Sequence, residues 1–265
     1  MIESDILLIA SGVFIMAAMY ATVGHGGGSG YLAILALAAI APEQMRPTAL
    51  CLNIIVAAIA TWKFSSKATF RKELFIPLIC ASIPAAFVGG FIDVPGFVYK
   101  PLVGIVLLYA ALRLCIPLHG DEKTQRPKIP MIIFAGITIG FLSGIIGIGG
   151  GIFLSPLILL LHWTTAKQTA AISAPFILVN SLAGLSGVVI DQGGVPLHFE
   201  GVAPLVIAVV IGGYVGASIG SKHLGHQGLR TVLAIVLCIA SIKMFVTYAG
   251  SGVEPTAPDE VKSTP

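Results

Sequence analysis

Two runs of glycine interrupt a chain that is otherwise nearly continuous hydrocarbon: Gly24-His25-Gly26-Gly27-Gly28-Ser29-Gly30 and Gly147-Ile148-Gly149-Gly150-Gly151. Glycine disfavours a helix by roughly 1 kcal/mol per residue relative to alanine, so such runs should open one. Opened backbone exposes N–H and C=O groups that lipid cannot satisfy, and it must therefore face protein or a water-filled cavity. Whatever this chain folds into has to accommodate two such openings.

The surroundings are membrane. Of 265 residues, 56% are hydrophobic and 10% charged, with a mean hydropathy of +0.97. A soluble domain carries about 25% charged residues, so this composition cannot cover a water-facing surface. The reading is a polytopic, all-α membrane protein. Basic residues are scattered through short loops rather than gathered on one face, which argues against nucleic acid as a partner. The start, Met1-Ile2-Glu3-Ser4-Asp5, is acidic where a cleaved signal peptide would be basic. The first span is therefore expected to stay. Cys51, Cys80, Cys115 and Cys238 form no CxxC pair and read as small core residues. No His/Cys/carboxylate cluster has metal-ligand spacing, so neither a metal nor a cofactor is expected.

Ten apolar segments follow one another, most of them long enough to span. Two are only about 11 residues, or ~16 Å of helix: Tyr31–Ala41 and Ile152–His162. Each directly follows a glycine run, the pattern of a hairpin broken inside the bilayer. The pattern also repeats. Aligning Gly24 with Gly147 pairs Gly26, Gly27 and Gly28 with Gly149, Gly150 and Gly151. Further on Asn53 pairs with Asn180, Pro77 with Pro204, and Arg113 with Lys243. The expected domains are a first transmembrane repeat over 1–116, a cytoplasmic linker over 117–130, a second repeat over 131–248 and a disordered tail over 249–265.

Cytoplasmic loops carry the Lys/Arg excess. Here the basic loops are 63–73 (Lys63, Lys67, Arg71, Lys72), 113–128 (with Lys123) and 221–230 (Lys222, Arg230), whereas 191–200 holds Asp191, His198 and Glu200 without Lys or Arg. These agree if each glycine hairpin returns to the side it entered. Each half then has an odd number of passes, the halves are inverted, and both termini lie outside the cell membrane.

Inverted repeats with discontinuous helices are a plan of secondary transporters, with substrate held where the repeats meet. A helix start presents unpaired N–H groups and about half a positive charge, which favours an anion. Glycine lets backbone approach it closely. The candidate substrate-binding residues are His25, Gly26, Gly27, Gly28, Ser29, Asn53, Gly149, Gly150, Gly151, Ser155 and Asn180. Thr22, Ser29, Ser143 and Ser155 border the breaks; for each alone, bonding back to its own helix is the expected role. His25 either takes a proton, given an unperturbed pKa near 6.5, or stays neutral on an opened carbonyl. Asn53 and Asn180 either line the site or tie helices together. Gly89, Gly212, Gly213, Gly216 and Gly220 are read as close-packing residues. Asp93, Asp191 and Glu200 fall at span ends, which disfavours cation transport. No catalytic constellation is present, and an enzyme is not expected.

The run Gly147-Ile148-Gly149-Gly150-Gly151-Ile152-Phe153-Leu154-Ser155-Pro156, following Gly140-Phe141-Leu142-Ser143-Gly144, resembles the TauE/SafE sulfite exporter family over about residues 5–248. The resemblance implies a bacterial inner-membrane carrier of small sulfur-containing anions: sulfite, thiosulfate, sulfoacetate or other organosulfonates. Export is the expected direction. An importer, a carrier of another small organic anion and a passive anion channel are the alternatives. The first half departs from the motif, with His25 in place of an apolar residue and Ala33 where the second half has Pro156. The expected partners are the anion and the lipid bilayer, and a homodimer is allowed.

Overall fold

The computed structural model describes residues 3–65, 70–115, 124–194, 202–220 and 227–250, and within them every regular element is a helix. In order these are α1 (Glu3–Ala21), α2 (Gly28–Leu37), α3 (Pro42–Ser65), α4 (Lys72–Phe91), α5 (Gly96–Cys115), α6 (Ile129–Ile146), α7 (Gly151–Leu160), α8 (Ala166–Asp191), α9 (Val202–Gly220) and α10 (Gln227–Gly250). Six of them, α3, α4, α5, α6, α8 and α9, are long and apolar enough to cross a membrane on their own. Large apolar side chains such as Leu8, Phe134 and Ile207 are left exposed on the outside, as lipid contact requires.

The short helices α2 and α7 have 10 residues each and begin earlier than expected, at Gly28 and Gly151. The reason is positional. The first amides of a helix have no intrahelical partner anyway, so the last glycine of each run can start it. The expectations for Lys67, Lys123, Lys222, His198 and Glu200 lie outside the described residues. So does the tail, except that α10 runs on through Ala249 to Gly250.

Contacts between loops fix the path of the chain. Arg71, at the start of α4, donates to the Trp163 carbonyl just past α7, and the Gln125 amide reaches the His162 carbonyl at 2.7 Å. The end of α7 is therefore beside the segment that enters α6, and this hairpin returns to the end it came from. At the opposite end Glu43, Asp93, Gly96 and Gln192 surround one pocket. There too Lys243 donates to the Leu37 carbonyl that finishes α2.

Two seams of small residues hold the bundle. Gly136, Gly140 and Gly144 of α6 lie over the carbonyls of Leu78, Ser82 and Ala86 on α4, where an added Cβ would come within 2.7, 2.3 and 2.1 Å of oxygen. Gly212, Gly216 and Gly220 of α9 lie over Phe14 and Ala18 of α1 and Thr22 just past its end, at 2.5, 2.0 and 1.9 Å. In both seams the contacts advance by one turn on each helix in the same sense, so the pairs run parallel. The close-packing role expected of Gly212, Gly216 and Gly220 is what the structure gives them. Gly89 faces the Phe141 carbonyl in the same way, and Gly213 packs on Val56.

Candidate functional site

Each break is a helix end and a helix start joined by one turn of backbone. After α1, the His25 amide reaches back to the Tyr20 carbonyl (3.0 Å) and the Gly24 amide to Ala21 (3.2 Å), with Gly24 left-handed at φ +73°. This is the Schellman pattern, which favours glycine at the left-handed residue. After α6, Gly147 takes the same conformation at φ +90° and bonds the Ser143 carbonyl at 2.9 Å. Three residues further on, Gly27 (φ +99°) and Gly150 (φ +79°) are left-handed again and cap the starts of α2 and α7.

Three of the carbonyls opened by the breaks are taken up by side chains. Tyr31 donates its hydroxyl to Gly26 (2.7 Å), Tyr99 to Ile146 (2.9 Å) and Asn53 its Nδ2 to Ile148 (3.1 Å). The amides of Gly28, Ser29 and Gly30, and those of Gly151 and Ile152, find no acceptor among the described residues. The leading amides of both short helices are thus in surplus, an arrangement that suits an anion, although Asn53 Oδ1 beside them is a buried acceptor without a partner among the described residues.

The two breaks meet at the centre of the bundle. A Cβ on Gly28 would lie 2.7 Å from the Ile148 carbonyl oxygen, so first-break backbone rests on second-break backbone. Gly26 and Gly149 flank the fully buried Asn53, and Ile177 of α8 packs against Gly26, Gly149 and Gly151. Both Asn53 and Ile177 sit near the middle of their helices.

The predicted polar residues part company here. Asn53 ties helices together: besides Ile148 it donates to Ser181 Oγ at 3.0 Å. Asn180, its sequence equivalent, bonds back to Phe176 of its own helix at 2.8 Å. The Oδ1 of each is buried without a partner among the described residues. Ser29 meets the Tyr20 hydroxyl (2.8 Å), and Thr22 alone of the four bordering hydroxyls bonds back, to Met19 (2.6 Å). Ser143 Oγ is buried without a partner among the described residues. His25 reaches across: Nδ1 lies 3.1 Å from the Val23 carbonyl and Nε2 lies 2.9 Å from Ser155 Oγ on α7, which is 2.8 Å from Ser173 Oγ on α8.

Sequence reasoning missed Arg46. It is buried in the first turns of α3 and donates to the carbonyls of Ile92 (2.9 Å), Gly89 (2.7 Å) and Gly90, the last turn of α4. A cation there complements the negative end of that helix. Its side chain also lies against Gly147, so the second break leans on it. The available signal was an ionisable residue inside an apolar span, which marks a working position by default. The pocket lined by Glu43, Arg46, Asp93, Tyr99 and Gln192 adjoins this side of the break.

Comparison with known proteins gives the same picture. The family described as "Sulfite exporter TauE/SafE" matches residues 8–244. Probable membrane transporter protein y4hK of Sinorhizobium fredii is 34% identical over 247 residues, covering 91% of this chain and 99% of that protein. A probable membrane transporter protein of Methanocaldococcus jannaschii, MJ0441, is 28% identical over 64% of this chain and 65% of its own length. YjnA of Bacillus subtilis, also named a probable membrane transporter protein, is 23% identical over 91% and 99%. No solved structure matches.

Proposed function

The chain belongs to the sulfite exporter TauE/SafE family of membrane transporters, and from that premise we propose that it carries small sulfur-containing anions outward through the inner membrane. The observation that carries this reading is the meeting of two helix starts, α2 and α7, whose leading amides are unsatisfied at the bundle centre. Donors fixed in place and shielded from water favour an oxyanion more than the same donors in solution would. Gly26, Gly27, Gly28, Ser29, Gly149, Gly150 and Gly151 supply backbone, His25 and Ser155 supply side chains, and Asn53 sets the distance between the breaks. Asn180 contributes from the α8 side an oxygen without a partner among the described residues. Membrane potential favours export of an anion by about 2.3 kcal/mol per charge per 100 mV. The family transports rather than catalyses, in keeping with a site made of backbone. Purified protein in vesicles preloaded with sulfite, thiosulfate or sulfoacetate should show saturable counterflow of labelled anion. Flux that rises linearly with concentration and shows no counterflow would make it a channel instead.

The same reading treats α1–α5 and α6–α10 as duplicated, inverted halves joined by the linker, with both termini outside. In a cysteine-free background, Lys72→Cys and Asp191→Cys should be labelled by impermeant maleimide from opposite faces. Both sites are exposed, so labelling is not limited by burial. Reaction of the two from one face would remove the inverted arrangement.

A further inference from the structure

His25 occupies the place in the first break that Ile148 holds in the second, and it is the one ionisable side chain in either. Its ring is half-buried and bridges the two halves of the bundle. Cδ2 lies 3.5 Å from where a Cβ on Gly151 would be, at the start of α7, and Nε2 bonds Ser155. The groups facing the ring are neutral. The stretch after α1 brings the Val23 carbonyl, and α7 brings Gly151 and Ser155, with Ser173 of α8 bonded behind Ser155. The charged residue at that end of α8, Lys167, is exposed.

Hydrogen-bond bookkeeping fixes the neutral form. A carbonyl can only accept, so Nδ1 carries the proton toward Val23 and Nε2 must accept from the Ser155 hydroxyl. Ser155 Oγ then accepts from Ser173. If Nε2 takes a proton, two donors would face each other. Ser155 has to turn, accepting from Nε2–H and donating to Ser173, whose own hydroxyl turns in its place. A single proton therefore reverses the direction of both bonds, from the break through α7 to α8, and leaves the Ser173 hydroxyl to donate elsewhere.

We propose that His25, read through Ser155 and Ser173, is a proton-binding site that loads together with the transported anion. This rests on the function proposed above and adds its coupling ion. The imidazolium would stand beside the starts of α2 and α7, whose dipoles repel it until an anion is bound there. Proton and anion therefore raise each other's affinity, by the reciprocity that any coupled pair of ligands obeys. A singly charged anion then crosses without net charge, so the membrane potential drives outward only substrates of higher charge, and the direction of the others follows the pH gradient as well as their own.

Two measurements test this. In vesicles clamped at zero membrane potential, methanesulfonate, whose charge is constant across the range, should accumulate on the alkaline side. One-to-one coupling gives about tenfold per pH unit. His25→Gln, which keeps a hydrogen-bonding side chain without the titration, should carry it to equal concentrations only. Equal accumulation by both proteins overturns the proposal. The second measurement does not depend on which anion is carried. In ¹⁵N-histidine protein, the signals absent from His25→Gln should pass from the Nδ1–H tautomer to imidazolium between pH 8 and 5, and Ser155→Ala should shift that transition. A His25 that stays neutral throughout, with saturating anion present as well as without it, overturns the proposal even where transport is intact. If methanesulfonate is not carried at all while His25 titrates, the substrate reading fails and the proton site stands.

Discussion

Gly144→Ala should cost the folded protein about 3 kcal/mol, the upper part of the range for overpacking a tight interior. The added methyl would lie 2.1 Å from the Ala86 carbonyl oxygen and 2.8 Å from the Gly90 amide, both backbone, so no side-chain rotation can relieve it. The helices α4 and α6 would have to separate. In a bilayer that separation is not opposed by water, and the seam is held by packing and by close backbone contact alone. Gly216→Ala makes the matching contact on α1, 2.0 Å from the Ala18 oxygen, and should cost a similar amount. The two seams share no partner, so the double variant should lose about the sum. Gly194→Ala is the control: nothing lies within 4 Å, and its stability should stay within about 0.5 kcal/mol of wild type. Thermal unfolding in detergent, followed by fluorescence, separates these cases. A Gly144→Ala protein that melts with wild type would mean the seam is looser than its geometry indicates.

The second large effect concerns transport. Gly151 opens α7 without a left-handed backbone, so alanine is allowed there conformationally. Its methyl would meet Ile177 Cδ1 at 2.3 Å and Cγ1 at 2.7 Å, the end of a side chain rather than backbone. Ile177→Ala removes both atoms, so Gly151→Ala/Ile177→Ala should fold. If the anion is held by the amides at the start of α7, the methyl still stands in its approach. Losing a hydrogen bond to a charged group is worth about 1.5–3 kcal/mol, or roughly ten- to a hundredfold in affinity. Counterflow by the double variant should therefore fall at least tenfold below that of Ile177→Ala alone. Equal counterflow would assign the glycines to packing only. Gly150→Val, the more obvious substitution, is a poorer probe. Its left-handed φ of +79° and contacts of 2.9–3.0 Å to Ile139 and Phe176 would disturb folding before transport could be read.

The breaks were legible because backbone conformation is encoded locally. Gly24, Gly27, Gly147 and Gly150 announce left-handed residues within a few positions of one another, and the half-length helices follow from them. Gly212, Gly216 and Gly220 show their one-turn spacing just as openly. What they pack against does not show. In a soluble protein, apolar periodicity would mark the inner face of a helix. Here the outside is lipid, as apolar as the core, so Phe134 facing out and Ile132 facing in read alike. Partners far apart in the chain were hidden for the same reason. Nothing near His25 points to Ser155 or Ser173, and nothing near Arg46 points to the last turn of α4. The asparagines show the converse limit: Asn53 and Asn180 are equivalent by alignment, yet one bridges to the second break and the other bonds its own helix.

The glycine seams also set an order on biosynthesis. The α4–α6 seam joins segments that leave the ribosome in close succession, with one helix, α5, between them. The α1–α9 seam joins α1 to a helix that begins at Val202. Its lining glycines all belong to the later partner, so α1 offers only the backbone ridge of Phe14, Ala18 and, just past its end, Thr22 until then. Helix α1 thus waits in lipid, without its main neighbour, until α9 is made, and the seam that fixes it closes late, with the α5–α10 interface still to follow.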